Sequence, residues 1–176
     1  MPAVHRVNEA AFGGSDEATI VDALRKAASP HISLVAVTNG QVVGHIFFSP
    51  VKIEADEVVH RALGLAPMAV LPEWQRRGIG SQLVREGLKE CQRIGFEIVV
   101  VIGHAKYYPR FGFRPAREKG LSCQFEVPDE VFMVAELSTG ALNGVTGLVK
   151  YRPEFREGSA RMNTDRDGLE SPPAQE

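Results

Sequence analysis

The chain has 176 residues and a mass of 19.2 kDa, enough for one domain with a single substantial core. Lys and Arg number 20 against 22 Asp and Glu, so no general attraction draws it to nucleic acid or to an anionic membrane, and any phosphate site must be local. Cys91 and Cys123 stand far apart without metal-ligand spacing, which argues for reduced thiols. Residues 1–6 lack a signal-peptide apolar region, and the longest purely aliphatic run, residues 98–102, is far too short to span a bilayer; the expected compartment is the cytoplasm.

In chain order, Ser15 or Asp16 makes a good N-cap for a helix through about Ala28, with Ile20, Val21, Leu24 and Ala28 on one face and Ser29-Pro30 ending it. Residues 32–38 and 41–54 read as a hairpin about Asn39-Gly40, which supplies the positive φ angles of a two-residue turn. After the polar residues 55–57 a third strand runs over residues 60–71. Pro67 removes a ladder donor inside it, which predicts a bulge or an unpaired edge where the strand opens. A glycine loop follows, then a helix to about Arg93 with Ile79, Leu83, Gly87 or Leu88, and Cys91 near one face. Gly95 stops it before the β-branched run 97–102, a strand buried on both faces. Strand, loop, helix and strand make a βαβ unit. Beyond lie residues 106–113 and less regular strands around 124–127, 132–137 and 147–151. Residues 1–155 are expected to form the domain, and the polar tail 156–176 to be disordered, because it has too little apolar surface to offset its ordering entropy.

The loop Gln75-Arg76-Arg77-Gly78-Ile79-Gly80 carries the chemistry. The first turn of a helix leaves amides without intrahelical acceptors and concentrates about half a positive charge, so an anion satisfies both. Gly78 and Gly80, without Cβ atoms, let the backbone take unusual dihedrals and approach a phosphate closely. Two arginines at a helix start are unfavourable unless an anion is near. No Gly-Lys-Ser/Thr follows, which excludes a P-loop. Leu83 stands where a dinucleotide fingerprint needs its third glycine, and the acidic ribose ligand is missing.

With residues 68–72 before it, the Gln75-x-x-Gly78-x-Gly80 segment resembles motif A of the GNAT superfamily of acetyl-CoA-dependent N-acetyltransferases. The segment Tyr107-Tyr108-Pro109-Arg110-Phe111-Gly112-Phe113 resembles that superfamily's tyrosine-to-Gly-Phe element. The likeness covers roughly residues 2–155 and is greatest to a bacterial subgroup of predicted N-acetyltransferases. It implies a mixed α/β fold, the GNAT acyl-CoA N-acyltransferase fold: a mostly antiparallel mixed sheet, splayed between two central strands and flanked by helices. It also implies that Met68, Ala69 and Val70 line the pantetheine, that Gln75, Arg76, Arg77, Gly78, Ile79 and Gly80 hold the pyrophosphate, and that the Val70 N–H polarises the thioester. Acetyl-CoA is then the cosubstrate and no metal is required. Tyr108, four residues before Gly112, falls where the superfamily places its general acid; Tyr107 is the neighbouring alternative. The superfamily's frequent asparagine seven residues before its tyrosine is Val101 here, and Gly103 and Pro109 shorten the segment that carries Tyr108.

Other assignments stay open at this level. Glu73, Glu54, His45, His60 and His104 are candidate bases for the amine, each more simply a solvated or satisfied side chain. Phe111, Phe113 and Cys91 read as core. The acceptor is a small-molecule amine or a protein amine, bound near residues 12–17 and 51–58, with no nucleic acid or membrane partner and with a homodimer compatible. Another acyl-CoA is an alternative donor. The rival function is a non-catalytic acyl-CoA sensor.

Overall fold

The computed structural model describes residues 1–155; the tail expected to be disordered lies outside them. The elements are α1 Pro2–Phe12, α2 Asp16–Ala27, β1 Ile32–Thr38, β2 Gln41–Ala55, β3 Val58–Val70, α3 Ile79–Arg93, β4 Ile98–Ile102, β5 Arg114–Pro115, β6 Leu121–Cys123, β7 Phe132–Glu136 and β8 Gly147–Lys150. They build one mixed sheet in the order β5-β7-β4-β3-β2-β8-β6, with β1 also paired to β2. The β3–β4 and β6–β8 pairs are parallel and the others antiparallel.

Strand β2 organises the sheet. Its first half pairs with β1 through the Asn39-Gly40 turn, where φ is 51° and 75°, and residues 52–54 pair with β8. Its other edge is occupied by β3 along nearly the whole length. Alternation sends Phe48 to one face, where α3 packs, and Phe47 to the other, where α1 and α2 pack. Helix α3 approaches closely because Gly87 rests on Phe48, and Gly44 admits the Leu83 and Ile79 side chains.

The expected opening is present. Phe48 lies opposite Leu65 and Ile46 opposite Met68, so Phe47 alone faces both Ala66 and Pro67, a bulge on β3. The β3–β4 register runs only from Leu63–Val99 to Leu65–Val101, whereas β3 stays with β2 as far as Val70. The two central strands therefore part at the bulge.

Some elements are not those expected. Helix α1 is not among the expected elements, although Pro2 suits a first helical position and Val4, Val7 and Asn8 recur on one buried face; Gly13, φ 71°, caps it through a bond to the Glu9 carbonyl. The strand expected at 124–127 lies instead at Leu121–Cys123, and β5 is only two residues long.

A buried polar network fastens α1 to the sheet. Asn8 Nδ2 donates to the Val4 carbonyl at 2.9 Å and faces His45 Nδ1 at 3.2 Å, which makes Nδ1 the unprotonated nitrogen. Nε2–H then donates to Ser33 Oγ at 2.9 Å, which also accepts from Arg25 at 3.0 Å. Burial first, then the positive Arg25 and the chain amino group, lower the His45 pKa from 6.5 to about 3.

Two measurements follow from this packing. A Cβ on Gly87 would lie 2.4 Å from the fully buried Phe48 ring. Overpacking of about 2–3 kcal/mol then exceeds the roughly 1 kcal/mol gained in helix propensity, so Gly87→Ala should lose about 1–2 kcal/mol in urea unfolding. Because the folded His45 pKa is depressed, the unfolded chain binds more protons between pH 6.5 and about 3, and stability falls as pH drops through that window. The loss from this residue between pH 6.5 and pH 5 should be about 2 kcal/mol. A His45→Gln variant should show a correspondingly flatter pH profile; an unchanged profile would remove His45 as its source.

Candidate active site

The site is assembled where β3 leaves β4 and the chain turns into α3. The Leu71 N–H bonds the Val43 carbonyl at 2.8 Å, so antiparallel alternation directs the main-chain groups of Val70 and Met68 away from β2, towards the side from which β4 has parted. Ala69 does the opposite. It pairs with His45, turns its main chain to β2, and buries its methyl with Val7 and Val43. Of the three strand residues expected to line a pantetheine, Met68 and Val70 face the opening and Ala69 contributes only packing. Gln75 Nε2 donates to the Val70 carbonyl at 3.0 Å, which ties the loop back to the opened edge.

The loop lies at the surface. A single 3-10 turn, Pro72–Trp74, leads to Arg76 at φ 60° and Gly78 at φ 79°, both left-handed, and Arg76, Arg77 and Gly78 are exposed. Nothing lies within 4 Å of a Cβ on Gly78, so glycine is required there by φ and not by space. Gly80 is buried. Helix α3 has no side-chain cap and no acidic residue in its first turn; its first internal bond runs from Gln82 N–H to the Gly78 carbonyl at 3.0 Å. The Ile79, Gly80 and Ser81 amides precede that bond, so they have no acceptor within the helix. The Arg77 guanidinium stands 4.8 Å from the centre of the Trp74 ring. The loop therefore has the dipole, amides and positive charge that favour an anion.

Beyond β4, Tyr108–Phe111 forms a 3-10 turn, the shortened helix that Gly103 and Pro109 predict. The Tyr108 ring lies against Gly103, where a Cβ would approach it to 2.3 Å, and meets Tyr107 and Phe113 edge-on at 5.0 and 5.6 Å. Its hydroxyl is buried and has no hydrogen-bond partner among the described residues. Burial, with a smaller effect from Tyr107, raises its pKa well above 10, so the hydroxyl stays protonated. Tyr107 is arranged differently. Its hydroxyl bonds Ser81 Oγ at 3.2 Å, and Arg110 covers its ring at 4.6 Å. The first turn of α3 and the tyrosine segment are thus joined directly.

The candidate bases disperse. Glu54 pairs with Lys150 at 2.9 Å, Glu73 is exposed beside the loop, and His60 lies opposite Ile53 towards the far hairpin end. His104 is half-buried and its carbonyl accepts from the Tyr107 N–H at 3.1 Å. His45 belongs to the α1 network. Val101 is buried in register with Leu65 and Met133. Phe113 is core, Phe111 packs partly buried against it, and Cys91 is fully buried, which raises its pKa to about 12. Among the described residues no three His, Cys, Asp or Glu are placed to share a metal ion, and no helix is long and apolar enough to cross a membrane.

Comparison with known proteins places this geometry. The family model described as an acetyltransferase (GNAT) domain matches residues 1–116. The chain is 36% identical over 155 residues to the uncharacterized N-acetyltransferase YhbS of Escherichia coli, covering 88% of this chain and 92% of that protein. It is 39% identical over 130 residues to the uncharacterized N-acetyltransferase YjhQ of Escherichia coli, covering 72% of each. The crystal structure of YhbS in complex with CoA superposes with a TM-score of 0.80 at 35% identity, over 87% of this chain and 84% of that one. A GNAT family acetyltransferase of Brucella melitensis in complex with acetyl-CoA gives 0.70 at 36% identity, over 88% and 91%.

Proposed function

The chain belongs to the GNAT acetyltransferase family, and from that premise we propose that it transfers an acetyl group from acetyl-CoA to a primary amine, with Tyr108 protonating the departing thiolate. The observation that carries the donor assignment is the parting of β3 from β4 immediately before an uncapped, acid-free helix start. The amides of residues 78–81, with Arg76 and Arg77, would hold the pyrophosphate. Val70 and Met68 would meet the pantetheine along the opened edge. Both similar structures named above hold CoA or acetyl-CoA, which supports the same ligand here.

Acetyl-CoA supplies an activated acyl carbon. The nitrogen of the neutral amine forms the new C–N bond there as the C–S bond breaks, and the Val70 N–H would stabilise charge on the carbonyl oxygen. Tyr108 gives its proton to the sulfur, and the amine releases one in turn, so the phenol is restored. The raised pKa of Tyr108 keeps the proton in place until a thiolate develops, and a thiolate in the same apolar surroundings is itself made more basic by desolvation. A hydroxyl buried without a partner favours Tyr108 for this role over Tyr107, which is already bonded to Ser81.

Release of CoA thiol from acetyl-CoA across a panel of primary amines tests the reaction, and calorimetry with CoA tests the donor site separately. Tyr108→Phe should bind CoA as the wild type does and lower kcat by about 100-fold or more. Undiminished turnover in that variant, with a loss in Tyr107→Phe, would move the role to Tyr107. Binding without turnover by any amine would favour a sensor, and absence of CoA binding would overturn the donor site.

A further inference from the structure

The sheet face opposite α3 carries two buried hydroxyls that the fold leaves unsatisfied. Ser49 on β2 is 0% exposed, and the Tyr151 hydroxyl, one residue past β8, is also buried; neither has a hydrogen-bond partner among the described residues. Both belong to one patch. Ser49 lies opposite Gly64 in the β2–β3 register, and a Cβ on Gly64 would lie 3.1 Å from the Tyr151 ring. Directly paired residues on antiparallel strands face the same side with Cβ atoms about 5 Å apart, so Ser49 and the Tyr151 ring adjoin over Gly64.

The patch has a meaningful address. Gly64 immediately precedes Leu65, the last β3 residue in register with β4, so the hydroxyls stand at the root of the opening, on the face away from α3. The surroundings are aromatic: Phe125 lies 5.4 Å and Phe155 5.6 Å from Tyr151, ring to ring. Glu154, three residues after Tyr151 in the chain, has its carboxylate taken by Arg152 through bonds of 2.9 and 3.1 Å. A buried hydroxyl without a partner costs free energy, and native folds retain few of them.

Resting on the acetyltransferase reading above, we propose that Ser49 and Tyr151 form the acceptor subsite, taking the N–H groups of a neutral primary amine borne on an apolar or aromatic stem. The chemistry is complementary. A neutral amine offers two N–H donors and one lone pair; two hydroxyl oxygens accept the former and leave the latter for attack. Apolar walls disfavour the ammonium form, so the subsite itself promotes the reactive state. A polycation would bring further charges into a largely aromatic lining.

The test compares 2-phenylethylamine with spermidine and kanamycin as acceptors for the full chain, reading CoA thiol. The wild type should use 2-phenylethylamine with a kcat/KM at least about tenfold higher than either polycation. Ser49→Ala and Tyr151→Phe should each lower that value by about five- to tenfold, mainly through KM, at unchanged CoA affinity. Removing an unsatisfied hydroxyl should leave the thermal midpoint equal or higher. Wild-type kinetics in both variants, a lower midpoint in either, or preference for a polycation would overturn the subsite while leaving the transferase reading intact. No thiol release from any amine by wild type that binds CoA would defeat the transferase reading, and the subsite with it.

Discussion

The function rests on a hydrogen-bonding constraint in the middle of the sheet. Main-chain N–H and C=O groups in a central strand need partners on both edges. Here the bulge at Ala66–Pro67 ends the match between β3 and β4 after Leu65–Val101, while β2 continues to hold β3 as far as Val70. Past Leu65 an interior strand keeps β2 in register on one side and no longer runs in register with β4 on the other. A parted strand of this kind is where an extended ligand with amide groups of its own can lie as an added strand would. That parting, with the uncapped helix start beyond it, defines the candidate donor site.

The rest of the molecule holds that opening in shape. The βαβ unit returns the chain through α3, whose close approach over Phe48 and Gly44 fixes where its first turn stands. Gln75 reaches back to Val70, and Tyr107 reaches from the far side to Ser81, so loop, helix start and tyrosine segment form one bonded unit. On the other face α1 is pinned by a neutral histidine, a polar fastening amid apolar contacts. The two faces are thus covered differently: α3 and the tyrosine segment lie on one, α1 and α2 on the other.

Much of this was legible in the chain. Asn39-Gly40 fixed the hairpin because few residue pairs tolerate two positive φ angles, and Pro67 announced the bulge because it cannot donate to a ladder. The glycine loop was visible for the same local reason. What escaped depended on distant partners. Ala69 faces β2 through a register that its own segment does not encode, and β5 is a strand only because β7 passes beside it. The α1 helix did leave a signal in Pro2 and its apolar spacing. Ser49 and Tyr151, 102 positions apart, meet through Gly64, and no local pattern joins them.

The chain has a single tryptophan, and it stands in the turn that enters the glycine loop, with a guanidinium over its ring. Intrinsic indole emission therefore originates at one point, beside the arginines that a diphosphate would engage. The protein carries a built-in optical reporter of that loop, readable without labels.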